Sequence, residues 1–388
     1  MRICLYTESA LPLVGGQEIV VDQLAREFQN FGHEVVVLAA QHRGRAVIRD
    51  DELPYPVVRH PRFISTHRLV GWYRRYVDRL RRQFAFDVLH CHSVQPAGYV
   101  AACCRSLADV RVVITSHGGD ICPEEWFLKK PGAMERCTKA LARADAVVAI
   151  SEFIEERLRA IAPNFQAMER ITNGVRYDRF ATPVERPAAI NSSVMPSAYL
   201  LFLGRIIHRK GVDLLLQAFG KAQLKTNARL VVAGTGSELD AMRLLTQQLG
   251  IAARTHFVGH VDSDVKTWLL QNAIATVMPS RGWEGLPLVM MESFAAGRPV
   301  IAAETPGLKE LVTPGRTGFL VAPESSADLA SAISEVIGNP TNTDRLGAIA
   351  QRLAMQHDWS AVARRHLDLF ARLLSEPRLC DKLRRPAA

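Results

Sequence analysis

Short apolar runs alternate with segments of helical periodicity from the start of the chain. The first three elements are a predicted strand, helix and strand, over residues 2–6, 17–31 and 34–40. The helix carries apolar residues at helical spacing, namely Val20, Leu24, Phe28 and Phe31. Because a glycine-containing loop joins the first strand to this helix, the pattern indicates one βαβ unit of a parallel sheet.

The alternation of strands and helices continues along the chain and is interrupted once. Further strands are predicted in the first half, over 87–91, 111–115 and 146–150. Residues 181–197 hold three prolines and no periodicity, which predicts an interdomain linker. After it, strands are predicted over 199–203, 229–233, 256–258 and 274–278, and helices over 212–222, 238–249 and 265–271. We therefore predict two doubly wound α/β domains, 1–180 and 198–360, and a last helix near 361–374.

The stretch 279–300 places two carboxylates, Glu284 and Glu292, around the predicted start of a helix. Pro287 is typical of a first helical turn and Gly297 of a helix end, so we expect Glu284 in the loop and Glu292 on the helix. At ~1.5 Å per residue, Glu292 lies about 7.5 Å along the axis from Pro287. Since a helix N-terminus binds anions and carboxylates accept hydroxyl groups, this combination predicts a nucleotide-sugar site.

Motifs in a fixed order carry a resemblance that covers nearly the whole chain. The two glutamates separated by seven residues resemble the signature of the retaining glycosyltransferases of family 4. The other matching motifs are Gly15-Gly16, the run 116–120, the run 173–175, Gly204-Arg205, Lys210-Gly211 and the run 234–236. The ordered set is far more specific than any single motif.

This resemblance implies the GT-B architecture, two Rossmann-like domains with the ligand in the cleft at the carboxyl ends of the strands. It also implies that the C-terminal helix, within 361–388, packs back on the first domain. The residues implied as catalytic are Arg205, Lys210, His117 and Glu284. The residues implied as donor-binding are Gly15, Gly16, Gly204, Val261, Gly285, Leu286, Leu288 and Glu292. Relatives need no metal, so we expect neither a metal nor another cofactor.

The residue types at these positions suit the departure of a diphosphate. Arg205 and Lys210 follow a predicted strand, where cations offset charge on the leaving group, although isolated surface cations are more often solvated. The paired glycines at 15 and 16 let backbone N–H groups approach a phosphate, although a turn also explains them. By resemblance, His117 and Glu284 hold the donor sugar and Glu292 holds the ribose.

Three further motifs allow other interpretations: the histidines at 90, 92 and 117, the run 262–264, and the run 234–236. The histidines fall at strand ends and would permit a metal site, but the sequence shows no supporting ligands. Asp262-Ser263-Asp264 matches a metal-binding D-x-D motif, yet it precedes a helical run, and helix capping explains it better. In the run 234–236 the third glycine of a dinucleotide fingerprint is missing, so we expect no NAD.

Composition indicates a globular protein with anionic partners. Of the 388 residues, 48% are hydrophobic and 22% are charged, and the net charge is +9. The excess of cations favours nucleotide phosphates or acidic lipid, and a generally basic surface is the alternative. No nucleic-acid-binding signature is present. Seven cysteines without a C-x-x-C pair predict free thiols, and we expect neither a signal peptide nor a transmembrane helix.

The segment 60–84 holds seven arginines against one acid, Asp78. Its apolar residues share one predicted helical face, with Trp72 beside it: Leu69, Tyr73, Tyr76, Val77, Leu80 and Phe84. A basic amphipathic helix with aromatic residues at its edge favours binding to anionic membrane. The alternative is an apolar face packed on the first sheet with solvated arginines, and the two interpretations are compatible.

We therefore expect a metal-independent retaining glycosyltransferase that uses a nucleoside-diphosphate sugar, most readily UDP-linked, in the cytoplasm or peripheral on the inner face of the membrane. The alternatives are a sugar-nucleotide epimerase of the same architecture and a catalytically silent partner subunit. The intact acid pair with Arg205 and Lys210 argues against the silent subunit. Many relatives read Glu-Gly-Phe-Gly where this chain reads Glu-Gly-Leu-Pro at 284–287. Because Pro287 lacks an N–H that could bond a sugar hydroxyl, the identity of the donor sugar stays open, as does the acceptor.

Overall fold

A computed structural model describes residues 1–13, 15–41, 50–62, 66–122, 128–190, 195–222 and 226–377. The chain forms two compact units. The first consists of Met1–Asn173 together with the helix Trp359–Ser375, and the second of Gly174–Asp358. Each unit contains one parallel sheet with helices, so the predicted α/β class with two Rossmann-like domains is confirmed.

The first unit is built on a seven-stranded parallel sheet in the order β3-β2-β1-β4-β5-β6-β7. Its strands are β1 (Arg2–Thr7), β2 (Glu34–Ala40), β3 (Val57–His60), β4 (Val88–Cys91), β5 (Arg111–Ser116), β6 (Ala146–Ala149) and β7 (Met168–Arg170). Its helices are α1 (Gly16–Asn30), α2 (Thr66–Phe84), α3 (Tyr99–Ala102), α4 (Ala133–Arg143), α5 (Glu152–Ile161) and the C-terminal α13 (Trp359–Ser375). The strand order reverses between β1 and β4, where open α/β sheets bind ligands.

The second unit is built on a six-stranded parallel sheet in the order β10-β9-β8-β11-β12-β13. Its strands are β8 (Tyr199–Leu203), β9 (Arg229–Ala233), β10 (Thr255–Gly259), β11 (Ala275–Met278), β12 (Val300–Ala303) and β13 (Gly318–Val321). Its helices are α6 (Tyr177–Ala181), α7 (Val212–Lys221), α8 (Leu239–Gln248), α9 (Ser263–Asn272), α10 (Leu288–Ala295), α11 (Ser326–Gly338) and α12 (Pro340–Met355). Here the order reverses between β8 and β11.

Apolar runs form the central strands because both faces of a parallel sheet are covered by helices. In the second unit, α7 and α11 pack together over one part of this core. Leu215, Phe219 and Ile333 on these helices are fully buried. The core therefore fixes the strand ends from which the loops of the site extend.

The C-terminal helix α13 completes the core of the first unit. The rings of Phe28 on α1 and Phe370 on α13 lie 5.7 Å apart, and His366 also packs against Phe28. At the other boundary, α6 packs on α9, α10 and α12 within the second unit. The sequence analysis had included the residues of α6 in the first domain.

Several sequence predictions concern single residues of the fold. His60 ends strand β3, so the predicted basic segment is helical only from Thr66, and residues 63–65 lie outside the described ranges. Six cysteines are free thiols, while Cys380 and the predicted frayed tail lie outside the described ranges. Within those ranges, none of the helices combines the length and the apolar character needed to cross a membrane.

Candidate functional site

Two loops of the second unit leave neighbouring strands at the point where the strand order reverses. The Lys210 turn, residues 204–211, follows β8, and the Glu284 loop, residues 279–287, follows β11 and leads into α10. The carboxyl ends of parallel strands lie at one edge of the sheet, and ligands bind there. The predicted residues Arg205, Lys210, Glu284 and Glu292 all come from these loops and from α10.

Lys210 and Glu284 form a buried ion pair between the two loops. Lys210 Nζ donates to Glu284 Oε1 at 2.8 Å, and the side chains are 17% and 8% exposed. Ser280 Oγ donates to the same oxygen, also at 2.8 Å. An ammonium group has three donors, so Lys210 keeps further donors for an anion beside Glu284.

Lys266 on α9 forms a second buried ion pair with Glu292 on α10. Lys266 Nζ donates to Glu292 Oε1 at 2.6 Å, and the side chains are 19% and 9% exposed. The same ammonium lies 5.5 Å from the centre of the Phe180 ring. The sequence analysis assigned a role to Glu292 but did not find Lys266, because the lysine lies in a run interpreted only as a helix.

Two buried oxygen atoms at this edge have no hydrogen-bond partner among the described residues. They are Glu292 Oε2 and Thr305 Oγ1, the latter in the loop that follows β12. Buried polar atoms are nearly always hydrogen-bonded in folded proteins, and an unpaired one calls for an explanation. Ligand hydroxyl groups could satisfy both atoms, whereas a phosphate oxygen could accept only from Thr305.

The loop after β12 packs directly on the backbone of Glu284. Glu284 N donates to Pro306 O at 2.9 Å. Gly307 has φ +85°, and a Cβ atom there would lie 1.9 Å from Glu284 O. Only glycine permits this approach, so residues 305–307 fix the position of the Glu284 backbone.

The remaining predicted residues of the second unit lie at the same edge of the sheet. Arg205 lies two positions after the end of β8, is exposed, and has no side-chain partner among the described residues. Gly204, Val261, Gly285 and Leu288 are half-buried, and Leu286 is buried. The sequence thus placed Glu284 in a loop and Glu292 on a helix as the structure has them.

Asp262 caps helix α9, as the sequence analysis predicted. Its Oδ1 accepts from Asp264 N at 3.0 Å and from Val265 N at 2.8 Å. Asp264 pairs instead with Arg179, at 2.7 Å. The two aspartates of the D-x-D motif are therefore used within the fold, and the cap orients the helix that carries Lys266.

In the first unit, His117 follows β5 and belongs to a column of histidines in ring contact. His117 Nε2 lies 3.2 Å from His92 Nδ1, and the two rings stack 5.5 Å apart. The His90 ring lies 4.3 Å from the His92 ring and 5.3 Å from the His366 ring of α13, tilted by 40° and 38°. Burial is the main cause that lowers the pKa of His117 and of His366 to about 4.

This histidine column does not have the form of a metal centre. Burial lowers the pKa of His90 and of His92 well below the usual value, so the imidazoles are neutral. His90 Nε2 lies 2.7 Å from Thr115 Oγ1. Over the described ranges, no three side chains of histidine, cysteine, aspartate or glutamate group as metal ligands would.

The loop after β1 carries the glycine pair and a carboxylate. Gly15 is the N-cap of α1 and Gly16 is its first residue. Glu8 directly follows β1, and burial, reinforced by Asp120 and Glu18, raises its pKa to about 7. The sequence analysis did not select Glu8. The roles of Gly15, Gly16 and His117 stay predictions.

Family models identify the class of protein that has this fold and these residues. A model described as Glycosyltransferase Family 4 matches residues 14–179, and a model described as Glycosyl transferases group 1 matches residues 186–353. The chain belongs to the glycosyltransferases of family 4, which have the GT-B fold, and it is an enzyme of that class.

Similar proteins include sugar transferases with different donors. A glycogen synthase of Mycobacterium tuberculosis (strain ATCC 25618 / H37Rv) is 29% identical over 290 residues, covering 73% of this chain and 68% of that protein. A GDP-mannose-dependent alpha-(1-6)-phosphatidylinositol monomannoside mannosyltransferase of the same organism is 28% identical over 393 residues, covering 95% and 98%. Among solved structures, Anabaena HepE in complex with UDP has a TM-score of 0.79 at 21% identity, covering 96% of this chain and all of that one.

Proposed function

We propose that this protein transfers a sugar, with retention of anomeric configuration and without a metal, from a UDP-sugar to an acceptor hydroxyl. The observation that carries the proposal is the pair of buried ion pairs, Lys210–Glu284 and Lys266–Glu292, at one edge of the second sheet. Each pair leaves hydrogen-bonding capacity unused, on Lys210 Nζ and on Glu292 Oε2. The similar proteins do not favour the epimerase alternative.

The leaving diphosphate is bound by cations and by a helix N-terminus. Lys210 donates to phosphate oxygens with the hydrogens that Glu284 does not use, and Arg205 adds an exposed guanidinium. The N-terminus of α10 supplies free N–H groups and a positive dipole end. These groups stabilise the charge that grows on the diphosphate in the transition state.

The two glutamates hold the sugar rings on either side of that diphosphate. Glu292 Oε2 accepts from ribose hydroxyls, and Lys266 orients the carboxylate through its hydrogen bond to Oε1. Glu284 accepts from a hydroxyl of the transferred sugar, supported by Ser280 and Lys210.

The reaction proceeds on one face of the donor sugar. The acceptor oxygen bonds to the anomeric carbon as the bond to the diphosphate oxygen breaks, and that phosphate oxygen takes the acceptor's proton. The diphosphate leaves with the proton, so no protein base is consumed. An NMR coupling constant of the product that matches the donor's anomer is the expected result, and inversion contradicts the proposal.

A thermal-shift experiment identifies the donor. A ligand that binds only the folded protein raises its melting temperature by mass action, so the chosen nucleotide sugar gives the largest shift. The panel is UDP-glucose, UDP-galactose, UDP-N-acetylglucosamine and GDP-mannose. A UDP-sugar is expected, and Glu292→Gln should reduce its shift. GDP-mannose as the best ligand overturns the uridine assignment, and no shift with any member overturns the proposed function.

Helix α2 carries a basic stripe that suits a lipid-linked acceptor at a membrane surface. Its apolar residues Tyr73, Val77 and Leu80 are buried within the first unit. The opposite face is exposed and carries Arg68, Trp72, Arg75, Arg79 and Arg82, while Leu69, predicted on the apolar face, is exposed at its N-terminal end. Cationic side chains with a tryptophan at one end suit the interface of an anionic bilayer.

Vesicle binding tests this stripe with arginines that the structure selects. Arg81 pairs with Asp109 at 2.7 Å and Arg74 is half-buried, so neither belongs to the exposed set. Replacing Arg68, Arg75, Arg79 and Arg82 by glutamine should abolish co-sedimentation with phosphatidylglycerol vesicles, since each contributes ~1 kcal/mol. The control is the same replacement of four exposed arginines of the second unit, Arg243, Arg316, Arg345 and Arg352. Equal losses in both variants indicate only an effect of net charge and contradict the docking role.

A further inference from the structure

Two arginines link the Lys210 turn to the Glu284 loop, and neither has a role in the mechanism above. Arg281 lies three positions before Glu284, and Arg209 directly precedes Lys210. Each side chain reaches from its own segment to the other one. The two segments therefore hold each other on both sides of the Lys210–Glu284 pair.

The Arg281 bridge consists of the contacts of Arg281 with Asp213 and with the Lys210 turn. Arg281 Nη1 and Nη2 donate to the two carboxylate oxygens of Asp213 at 2.7 and 2.6 Å. Nη1 also donates to His208 O at 3.0 Å, and Arg281 N donates to Arg209 O at 2.8 Å. This is the fork geometry that a guanidinium can form and an ammonium cannot.

The Arg281 bridge is largely shielded from solvent. The side chains of Arg281 and Asp213 are 15% and 22% exposed. Burial alone would raise the pKa of Asp213, but hydrogen bonds and the charge of Arg281 outweigh it and lower the pKa, so the carboxylate stays ionised. Asp213 belongs to the first turn of α7, which ties the bridge to the core of the unit.

Arg209 completes the link from the opposite direction. Its Nη1 donates to Trp283 O at 2.9 Å, and its guanidinium lies 5.0 Å from the centre of the Trp283 ring. Next to it, Gly211 has φ +66°, and a Cβ atom there would lie 2.1 Å from Pro279 O. The backbones of the turn and the loop are thus in direct contact as well.

We propose that Arg281 is a positioning residue for sugar transfer: through Asp213 and His208 it holds the Lys210 turn against the Glu284 loop, so that Lys210 Nζ faces the leaving diphosphate. The inference rests on the proposed function of Lys210. A lysine side chain has four rotatable bonds, and a backbone shift of about 1 Å beneath it can cost roughly 100-fold in rate. The bridge is placed to prevent such a shift.

A double-mutant cycle with Lys210 separates positioning from general stability. The readout is UDP or GDP release by hydrolysis of the panel member that the wild type cleaves fastest. Arg281→Lys, which keeps the charge but loses the fork, and Arg281→Ala should each lower kcat about 10- to 100-fold. The Kd of the same nucleotide should change by less than about 3-fold, since Lys266 and Glu292 are untouched. In a Lys210→Ala background, Arg281→Ala should change kcat by less than about 3-fold, because the group it positions is gone.

Arg345→Gln is the matched control for the loss of an arginine that anchors a loop. Arg345 donates to Gly315 O at 3.1 Å in the same unit, outside the site, and its loss should leave kcat unchanged. If Arg281→Ala does not fold, the cycle is run with Arg281→Lys. Wild-type turnover of Lys210→Ala overturns the proposed function and this inference with it. An impaired Lys210→Ala in which the Arg281 substitution still lowers kcat by its full factor overturns this inference alone.

Discussion

The two sheets share a strand order over their first six strands, but their carboxyl edges carry opposite chemistry. The edge of the first sheet holds a series of neutral imidazoles in ring contact, from His117 to His366. The edge of the second holds ammonium and carboxylate groups paired at 2.6 and 2.8 Å. His117, Lys210 and Glu284 lie in loops that follow strands, whereas His366, Lys266 and Glu292 lie on helices.

This difference shows that the fold determines where a site forms, whereas the side chains determine its chemistry. A buried imidazole is neutral at a pH above its lowered pKa, so it neither attracts nor repels a diphosphate strongly. Buried lysines with unused donors are suited to an anion that gains charge during a reaction. This contrast supports the proposal that the second unit binds the leaving diphosphate and stabilises its charge.

The largest expected effect tests whether the charged edge performs this work. Lys210→Ala should lower turnover by about 10²- to 10³-fold, roughly 3–4 kcal/mol of transition-state stabilisation, because a preorganised cation is lost. Nucleotide release in steady state measures it, with thermal unfolding recorded in parallel. The control is Lys221→Ala, a lysine of α7 that donates to Ser326 Oγ at 2.9 Å. Turnover at the wild-type level would show that Lys210 does not stabilise the leaving group.

The second prediction concerns the stability of the charged edge. Lys266→Met should lower the free energy of unfolding by roughly 3 kcal/mol, because Glu292 is left buried without its counter-ion. Glu292→Gln in the same chain should recover part of that loss, because the unpaired charge is removed. Urea unfolding of the wild type, both single variants and the double variant gives the coupling. Additive losses would show that the two side chains do not act as a pair.

The third prediction concerns the neutral edge and its response to acid. The pKa of His366 is lowered from 6.5 to about 4, so the unfolded chain takes up this proton first as the pH falls. Stability should therefore decrease from pH 6.5 towards pH 4, by up to ~1.4 kcal/mol per pH unit for this histidine. His366→Phe keeps a ring in place and should flatten the slope by that amount.

The control for this pH series is His208→Gln, an exposed histidine of the second unit. Glu8 contributes with the opposite sign, because its pKa is raised to about 7, and this contribution cancels in the difference between variant and wild type. Urea unfolding at pH 7, 6 and 5 supplies the slopes. Parallel slopes for His366→Phe and the wild type would mean that the buried imidazole titrates normally.

The last prediction is that removal of metal ions has no effect on activity. Excess EDTA should leave nucleotide release unchanged, because Lys210, Arg205 and the N-terminus of α10 neutralise the diphosphate. Assays with EDTA and with added Mn²⁺ measure this directly. A loss of activity that Mn²⁺ restores would show that a metal ion neutralises part of the charge on the diphosphate.

Local signals in the sequence predicted what lies within one element. The bounds of β8 and β9 agree with the apolar runs, and Asp262 caps α9 as its position before a helical run indicates. The sequence analysis named no element between 300 and 359, where the structure adds β12, β13, α11 and α12. Periodicity is a property of a single segment, and it served best where the segment was long or flanked by clear end signals.

The partners of the charged residues could not be predicted in this way. Lys266 and Glu292 are 26 positions apart, and Arg281 and Asp213 are 68 apart. The contact of Arg281 with Asp213 exists because β8 and β11 are neighbours, although two strands separate them in the chain. Lys266 and Glu292 lie on the helices before and after β11. Hydrophobic pattern shows that a segment is buried, but it does not show which loop faces which.

The return of helix α13 to the first unit has a consequence for synthesis on the ribosome. Phe28 on α1 is made early, whereas Phe370, which packs against it, follows only after all of Gly174–Asp358. At ~5–20 residues per second, the interval from Asn173 to the end of this helix is about 10–40 s. The first unit is therefore completed last, and until α13 is synthesised the apolar face of α1 remains uncovered.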